Sequence, residues 1–188
     1  MTKRGGSAAR RRCCWLVPAV GLAALAGTPA RAQVLSAGLS GAPVVNLGTF
    51  DDGRSLATGW HVGVSARLDL RSRPFGLQAD AGVASSAYEE GTREGSVQSW
   101  NAGLGAFYRV GAVTATVRPY AILGIGVYYV EEPERNLITP AWNAGLGAEV
   151  GRGALRGFVE ARYHYVFTWG SDLQYVPLSV GLRYALNP

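Results

Sequence analysis

The sequence predicts an all-β fold: an eight-stranded antiparallel up-and-down transmembrane β-barrel behind a cleaved N-terminal signal peptide. Three observations carry that expectation. Beyond residue 33, apolar residues recur at every second position through most of the chain, which is the period of a strand and not of a helix. The alternating runs are each about ten residues long, the length a tilted strand needs to cross a bilayer. The tryptophans within them fall at one end of the strands that carry them.

Composition narrows the classes first. Of 188 residues, 48% are hydrophobic and 16% charged, which excludes a disordered chain. The 26 glycines follow no three-residue period, which excludes collagen. Two cysteines exclude a disulfide scaffold and a zinc–cysteine domain. A formal charge of +5 suggests a nucleic-acid partner, but its distribution removes that reading. Lys3, Arg4, Arg10, Arg11 and Arg12 precede a thirteen-residue apolar run, Trp15 to Gly27, and Ala30-Arg31-Ala32 has the small-residue spacing of a cleavage site. Basic segment, apolar segment and cleavage site stand in the order of a secretory signal. A membrane anchor is the competing reading, and thirteen residues fall short of the roughly 20 that a spanning helix requires. The chain therefore divides into a signal peptide, 1–32, and a barrel domain, 33–188.

Cleavage after Ala32 leaves 156 residues with twelve Arg, no Lys and thirteen Asp and Glu, a net charge of −1. No nucleic-acid partner is expected of that chain. Cys13 and Cys14 leave with the signal, and a chain without thiols suits an oxidising export compartment. No mature segment reaches eighteen apolar residues, so no spanning helix is expected.

A first strand is expected around Val34–Gly41. In the second, Trp60, Val62, Val64, Ala66, Leu68 and Leu70 face one way, and His61, Gly63, Ser65, Arg67 and Asp69 the other. Phe75, Leu77, Ala79, Ala81 and Val83 oppose Gly76, Gln78, Asp80 and Gly82 in the third. Trp100, Ala102, Leu104, Ala106 and Tyr108 oppose Asn101, Gly103, Gly105, Phe107 and Arg109 in the fourth. The fifth, Thr114–Val130, is more apolar, with Arg118, Tyr120, Gly124 and Gly126 on a shared face. In the sixth, Trp142, Ala144, Leu146, Ala148 and Val150 oppose Asn143, Gly145, Gly147 and Glu149. Val159, Ala161, Tyr163 and Tyr165 oppose Glu160, Arg162 and His164 in the seventh, and the eighth sets Val176 to Leu186 against Ser179, Gly181 and Arg183. Arg71–Pro74, Gly111–Val113 and Gly151–Gly153 read as tight turns. Ala42–Gly59, Glu89–Gln98, Glu131–Pro140 and Trp169–Gln174 read as longer loops on the opposite rim, the asymmetry of an outer-membrane barrel. Trp100 to Ala106 recurs unchanged as Trp142 to Ala148, 42 residues later. Each period holds two strands, not the four of a propeller blade, so each repeat is one hairpin.

Alternation alone does not say which face is the core, since a soluble sandwich alternates too. Three features turn the apolar face outward. The polar face mixes glycine with ionic side chains and has no lysine, as a crowded barrel interior would. Trp60, Trp100, Trp142 and Trp169 gather near the long-loop rim, with Phe75, Tyr108 and Tyr184 near the other, which gives the two aromatic belts of a lipid-facing wall. An even number of hairpin-connected strands closes without leaving edges.

On these residues, and on the final strand Val176-Pro177-Leu178-Ser179-Val180-Gly181-Leu182-Arg183-Tyr184, the chain over 33–188 resembles the small eight-stranded outer-membrane barrels, the OmpA-, OmpX- and OmpW-like families. The resemblance implies residence in the bacterial outer membrane. Members usually end in an aromatic residue; here the last aromatic is Tyr184, followed by Ala185-Leu186-Asn187-Pro188.

An eight-stranded barrel is just wide enough for side chains to fill it. The expected lumen network is Arg67, Asp69, Asp80, Arg109, Arg118, Glu149, Glu160, Arg162 and Arg183, paired because isolated buried ions are costly. Its expected role is to plug and stiffen the barrel, with a proton or ion path as the functional alternative. Barrels of similar size that remove an acyl chain from lipid A use a His with a nearby Ser, so His164 is the candidate for enzymatic chemistry; Thr168 and Ser171 are the nearby hydroxyls. His61 is read as a lumen residue, and no metal or cofactor site is expected. Nine loop acids (Asp51, Asp52, Glu89, Glu90, Glu94, Glu131, Glu132, Glu134 and Asp172) face three arginines (Arg54, Arg93 and Arg135) on the long-loop rim, while Arg71, Arg73 and Arg152 hold the other rim without an acid. The expected partners are outer-membrane lipid and lipopolysaccharide, with divalent cations at the acidic loops, for a monomeric, non-enzymatic barrel. The alternative is an exported soluble lipocalin-like barrel, with its apolar face inward around a small apolar ligand.

Overall fold

The computed structural model describes residues 33–48, 55–70, 73–89, 95–111, 115–131, 136–168 and 173–186. Segment 1–32, read as the signal, lies outside the described residues. Eight strands follow in order: β1 (Gln33–Asn46), β2 (Gly59–Leu70), β3 (Phe75–Ala87), β4 (Ser96–Arg109), β5 (Val117–Glu131), β6 (Asn136–Val150), β7 (Leu155–Val166) and β8 (Leu173–Ala185). Each pairs antiparallel with its sequence neighbour, and β8 pairs with β1 to close the barrel.

The strands are longer than the apolar alternation suggests. β1 runs on to Asn46, five residues past the expected Gly41. The expected loop Glu131–Pro140 is largely strand: β5 reaches Glu131 and β6 begins at Asn136, paired with it. Pro140 lies within that strand although proline cannot donate to a ladder. The chain resolves this locally. Phe167 N–H donates to Pro140 C=O at 3.2 Å, and the Phe167 carbonyl, which Pro140 cannot serve, accepts from the Thr139 hydroxyl. The expected turn Gly111–Val113 sits within a wider connection, 110–116. Gly111, Gly151 and Gly153 adopt φ of +91°, +129° and +80°, which explains glycine at these short turns.

The registers fix the stagger. Followed round the barrel, Ser36 faces Arg67, then Gln78, Gly105, Gly124, Asn143, His164 and Tyr175, and the path re-enters β1 at Asn46, ten residues from its start. Ten residues of stagger over eight strands tilts them by about 40° and sets a wall radius of about 8 Å. A ring of constant height then shifts by about 1.25 residues per strand. On that measure Trp60, Trp100 and Trp142 stand within about one residue of a common height. Phe75, Tyr108 and Tyr184 form a second ring about eight residues below, an apolar band about 20 Å tall. Trp169 lies outside the described residues.

The band between the rings is apolar and faces outward. Leu104, Ile125 and Leu146 are each about 70% exposed. Arg67, Glu149 and Arg183 are buried inside. This arrangement excludes the soluble lipocalin-like alternative, which needs the apolar faces inside.

Candidate functional site

The lumen is where this chain concentrates its chemistry. Alternation puts every second residue of eight strands inside, and the stagger decides which of them meet. Three tiers result.

The lowest tier, toward the short turns, is ionic. Glu149 of β6 is its hub. Its Oε1 accepts from Arg67 Nη1 at 2.8 Å and from Arg183 Nη1, and its Oε2 stands 3.6 Å from Arg118 Nη2 and 3.8 Å from Arg156 Nη1. Beside it, Arg109 pairs with Asp69. Arg67 also donates through Nε and Nη2 to Gln78 Oε1 at 3.0 and 2.7 Å.

Aromatic rings carry these cations. The Arg67 guanidinium lies 4.1 Å from the Phe107 ring centre and 4.4 Å from that of Tyr120, and Arg183 lies 4.5 Å over Phe158. Such contacts offset part of the cost of removing a guanidinium from water. Glycines make the space. A Cβ on Gly147 or Gly76 would stand 2.6 Å from the Tyr120 or Phe107 ring, and one on Gly181 would stand 2.5 Å from Phe158. The lumen glycines thus make room for rings, and the rings hold the arginines.

The middle tier is one arginine between two carboxylates. Arg162 bonds Asp80 Oδ1 at 2.9 Å through Nη1 and Glu160 Oε1 at 2.7 Å through Nη2. Tyr120 donates its hydroxyl to Glu160 Oε2 at 2.8 Å, which links this tier to the one below. A cavity of about 40 Å³ opens here, lined by Ser40, His61, Asn101, Arg162 and Ser179 among others. His61 Nδ1 and Asn101 Oδ1 have no hydrogen-bond partner.

The top tier is aromatic and apolar. His164 stacks on Tyr175, with ring centres 4.8 Å apart and planes 5° from parallel, and its Nδ1 meets the Tyr128 hydroxyl. Above it Val44, Leu56, Tyr88, Val97, Val130, Val166 and Leu173 pack as an apolar plug.

All nine charged residues singled out in the sequence point into the lumen, and the stagger sorts them into these groups. Sequence reasoning missed Arg156, which precedes the visible alternation of β7. It also missed the roles of Phe107, Tyr120 and Phe158, although an aromatic on a face of glycine and charge was the available signal. His164 is 3% exposed and enclosed by two tyrosines, and Ser171 lies outside the described residues. Among the described residues no group of three or more His, Cys, Asp or Glu could hold a metal.

The family model described as "Outer membrane protein beta-barrel domain" matches residues 14–188. The crystal structure of Neisserial surface protein A is similar, with a TM-score of 0.58 at 16% identity, covering 81% of this chain and 96% of that one. A major outer membrane protein from Thermus thermophilus gives 0.54 at 16%, covering 81% and 99%. At these identities the likeness is one of fold. No curated protein sequence matches the chain significantly.

Proposed function

The chain belongs to the outer membrane protein β-barrel domain family and resides in the bacterial outer membrane, and on that premise we propose that it is a monomeric, non-enzymatic barrel with a structural or surface-interaction role. The observation that carries the reading is the set of ion pairs inside the barrel, which supports a filled lumen. The lumen cavity of about 40 Å³ beside Arg162 has room for ordered water and not for a solute. Above that cavity the apolar cluster packs toward the long-loop end, and below it lies the ionic tier. Enzymatic use of His164 is disfavoured by its enclosure between Tyr128 and Tyr175, since a base must reach a substrate proton. The chain's external features then carry its contacts: the two aromatic rings in the lipid, and the long connections, which face outward in barrels of this kind.

Reconstituted in liposomes, the purified barrel should cause no swelling in a small sugar. Swelling at the rate of an open pore would overturn the filled-lumen reading.

The partners that fit this reading are outer-membrane lipid and lipopolysaccharide, with divalent cations bridging acidic residues of the long-loop rim to lipid phosphates. Glu89 and Glu131 are the described members of that acidic set; the others lie outside the described residues. Magnesium should raise the unfolding midpoint of the barrel in lipopolysaccharide-containing bilayers, and Glu131→Gln with Glu89→Gln should reduce that rise. A midpoint insensitive to magnesium removes the cation bridge.

A further inference from the structure

The lowest lumen tier carries more positive charge than the chain neutralises. Five guanidiniums (Arg67, Arg109, Arg118, Arg156 and Arg183) share two carboxylates, Glu149 and Asp69, an excess of three positive charges. The adjoining short connections, 71–74, 110–116 and 151–154, contain no Asp or Glu and add Arg71, Arg73 and Arg152. Asp69 is taken by Arg109. The rest depends on Glu149, whose Oε1 is already taken by Arg67 and Arg183.

Arg118 is the residue left over. It is 4% exposed, and neither its Nε nor its Nη2 has a hydrogen-bond partner; its nearest carboxylate oxygen, Glu149 Oε2, stands 3.6 Å from Nη2, too far for a hydrogen bond, and is itself without one. A buried guanidinium with unmet donors is costly, and a second anion is the direct remedy. Arg156 stands on the open side of the same cluster, its side chain 21% exposed, and reaches Glu149 only at 3.8 Å. Arg73 and Arg152 are exposed in the turns just beyond. The cluster therefore opens toward the short-turn mouth and not toward the plugged end.

We propose that the short-turn mouth of the lumen binds a phosphate-type oxyanion between Arg118 and Arg156. Arg156 Nε donates to the Gly153 carbonyl at 3.2 Å, which leaves its terminal nitrogens to face the mouth; planar guanidiniums suit an oxyanion with several acceptor oxygens better than they suit chloride. The same chemistry is available from free phosphate and from an anionic lipid headgroup reaching round the barrel rim. Both would place their charge at the level of Glu149 and the lower aromatic ring.

The test is the unfolding midpoint of the purified barrel, read by the heat-dependent gel shift of the folded form. In neutral detergent, inorganic phosphate should raise the midpoint by a few degrees, saturably, above chloride at equal ionic strength. In a second arm without free phosphate, nanodiscs containing phosphatidylglycerol are compared with purely zwitterionic ones. A response to free phosphate alone identifies a soluble anion, and a response to phosphatidylglycerol alone identifies a headgroup; either supports the site. In both arms Arg118→Gln and Arg156→Gln should lose most of the response and Arg73→Gln should keep it. If Arg118→Gln does not fold, the more exposed Arg156→Gln gives the same reading. No response beyond chloride and zwitterionic lipid, or an unchanged response in Arg118→Gln and Arg156→Gln, overturns the proposal.

Discussion

At Glu149 one carboxylate meets four guanidiniums, so its charge controls what those arginines cost one another. Glu149→Gln keeps the shape and removes the charge. It should destabilise the barrel by about 3–5 kcal/mol, since it strands buried cations and does not delete a matched pair. Tryptophan fluorescence during urea unfolding in detergent checks this. Adding Arg118→Gln to Glu149→Gln should recover part of the loss, because it removes a cation whose closest carboxylate has gone. A double variant as unstable as the sum of its parts would mean that Glu149 acts through packing and not through charge.

The four strand prolines show how elements bear a missing donor. Pro140 is covered by the Thr139 hydroxyl, and Pro119 sits opposite Val110, where β4 has already ended. Pro43 and Pro177 have no such cover. The β1–β8 ladder skips from Gly41↔Val180 to Val44↔Pro177, and the β7–β8 ladder skips from Ala161↔Leu178 to His164↔Tyr175. Pro43 therefore withholds a bond from the Leu178 carbonyl, and Pro177 withholds one from that of Arg162. The two gaps fall at neighbouring positions of β8, on opposite sides of the strand. Pro43→Val should restore one bond at the closing seam, stabilise by about 1 kcal/mol and slow amide exchange nearby. Unchanged exchange at positions 42–44 would show that the gap has another cause. Strand alternation was legible in the residues themselves, because the side-chain period is set by backbone geometry. The strand ends at Asn46 and Asn136 were not, because each lies beyond a proline that removes a ladder donor, and only the pairing of the neighbouring strands shows that β1 and β6 continue past it.

For the whole molecule, the aromatic rings define a depth scale that a soluble barrel would lack. Leu104 lies near the middle of the band and Ile138 beyond the tryptophan ring, and both are about 70% exposed. Leu104→Arg should cost about 2–4 kcal/mol in a bilayer, whereas Ile138→Arg should cost about 0–1 kcal/mol. Reversible unfolding in lipid vesicles measures both. Equal costs would contradict the placement of the membrane between the two aromatic rings.

The amino-acid sequence by itself determined the strand number, the outward direction of the apolar face and the alternation that turns ionic side chains inward, though not Arg156, which precedes the visible alternation of β7. Each follows from local period, from composition, or from the height at which tryptophan occurs along a strand. The tertiary structure alone decided which charges meet. Arg67 and Glu149 are 82 positions apart on β2 and β6, and they touch because ten residues of stagger bring those strands level across a narrow lumen. The same stagger leaves Arg118 without a full partner, although the lumen network looked nearly balanced when counted along the chain. Pairing in a closed barrel depends on shear and diameter, and neither quantity belongs to any one segment.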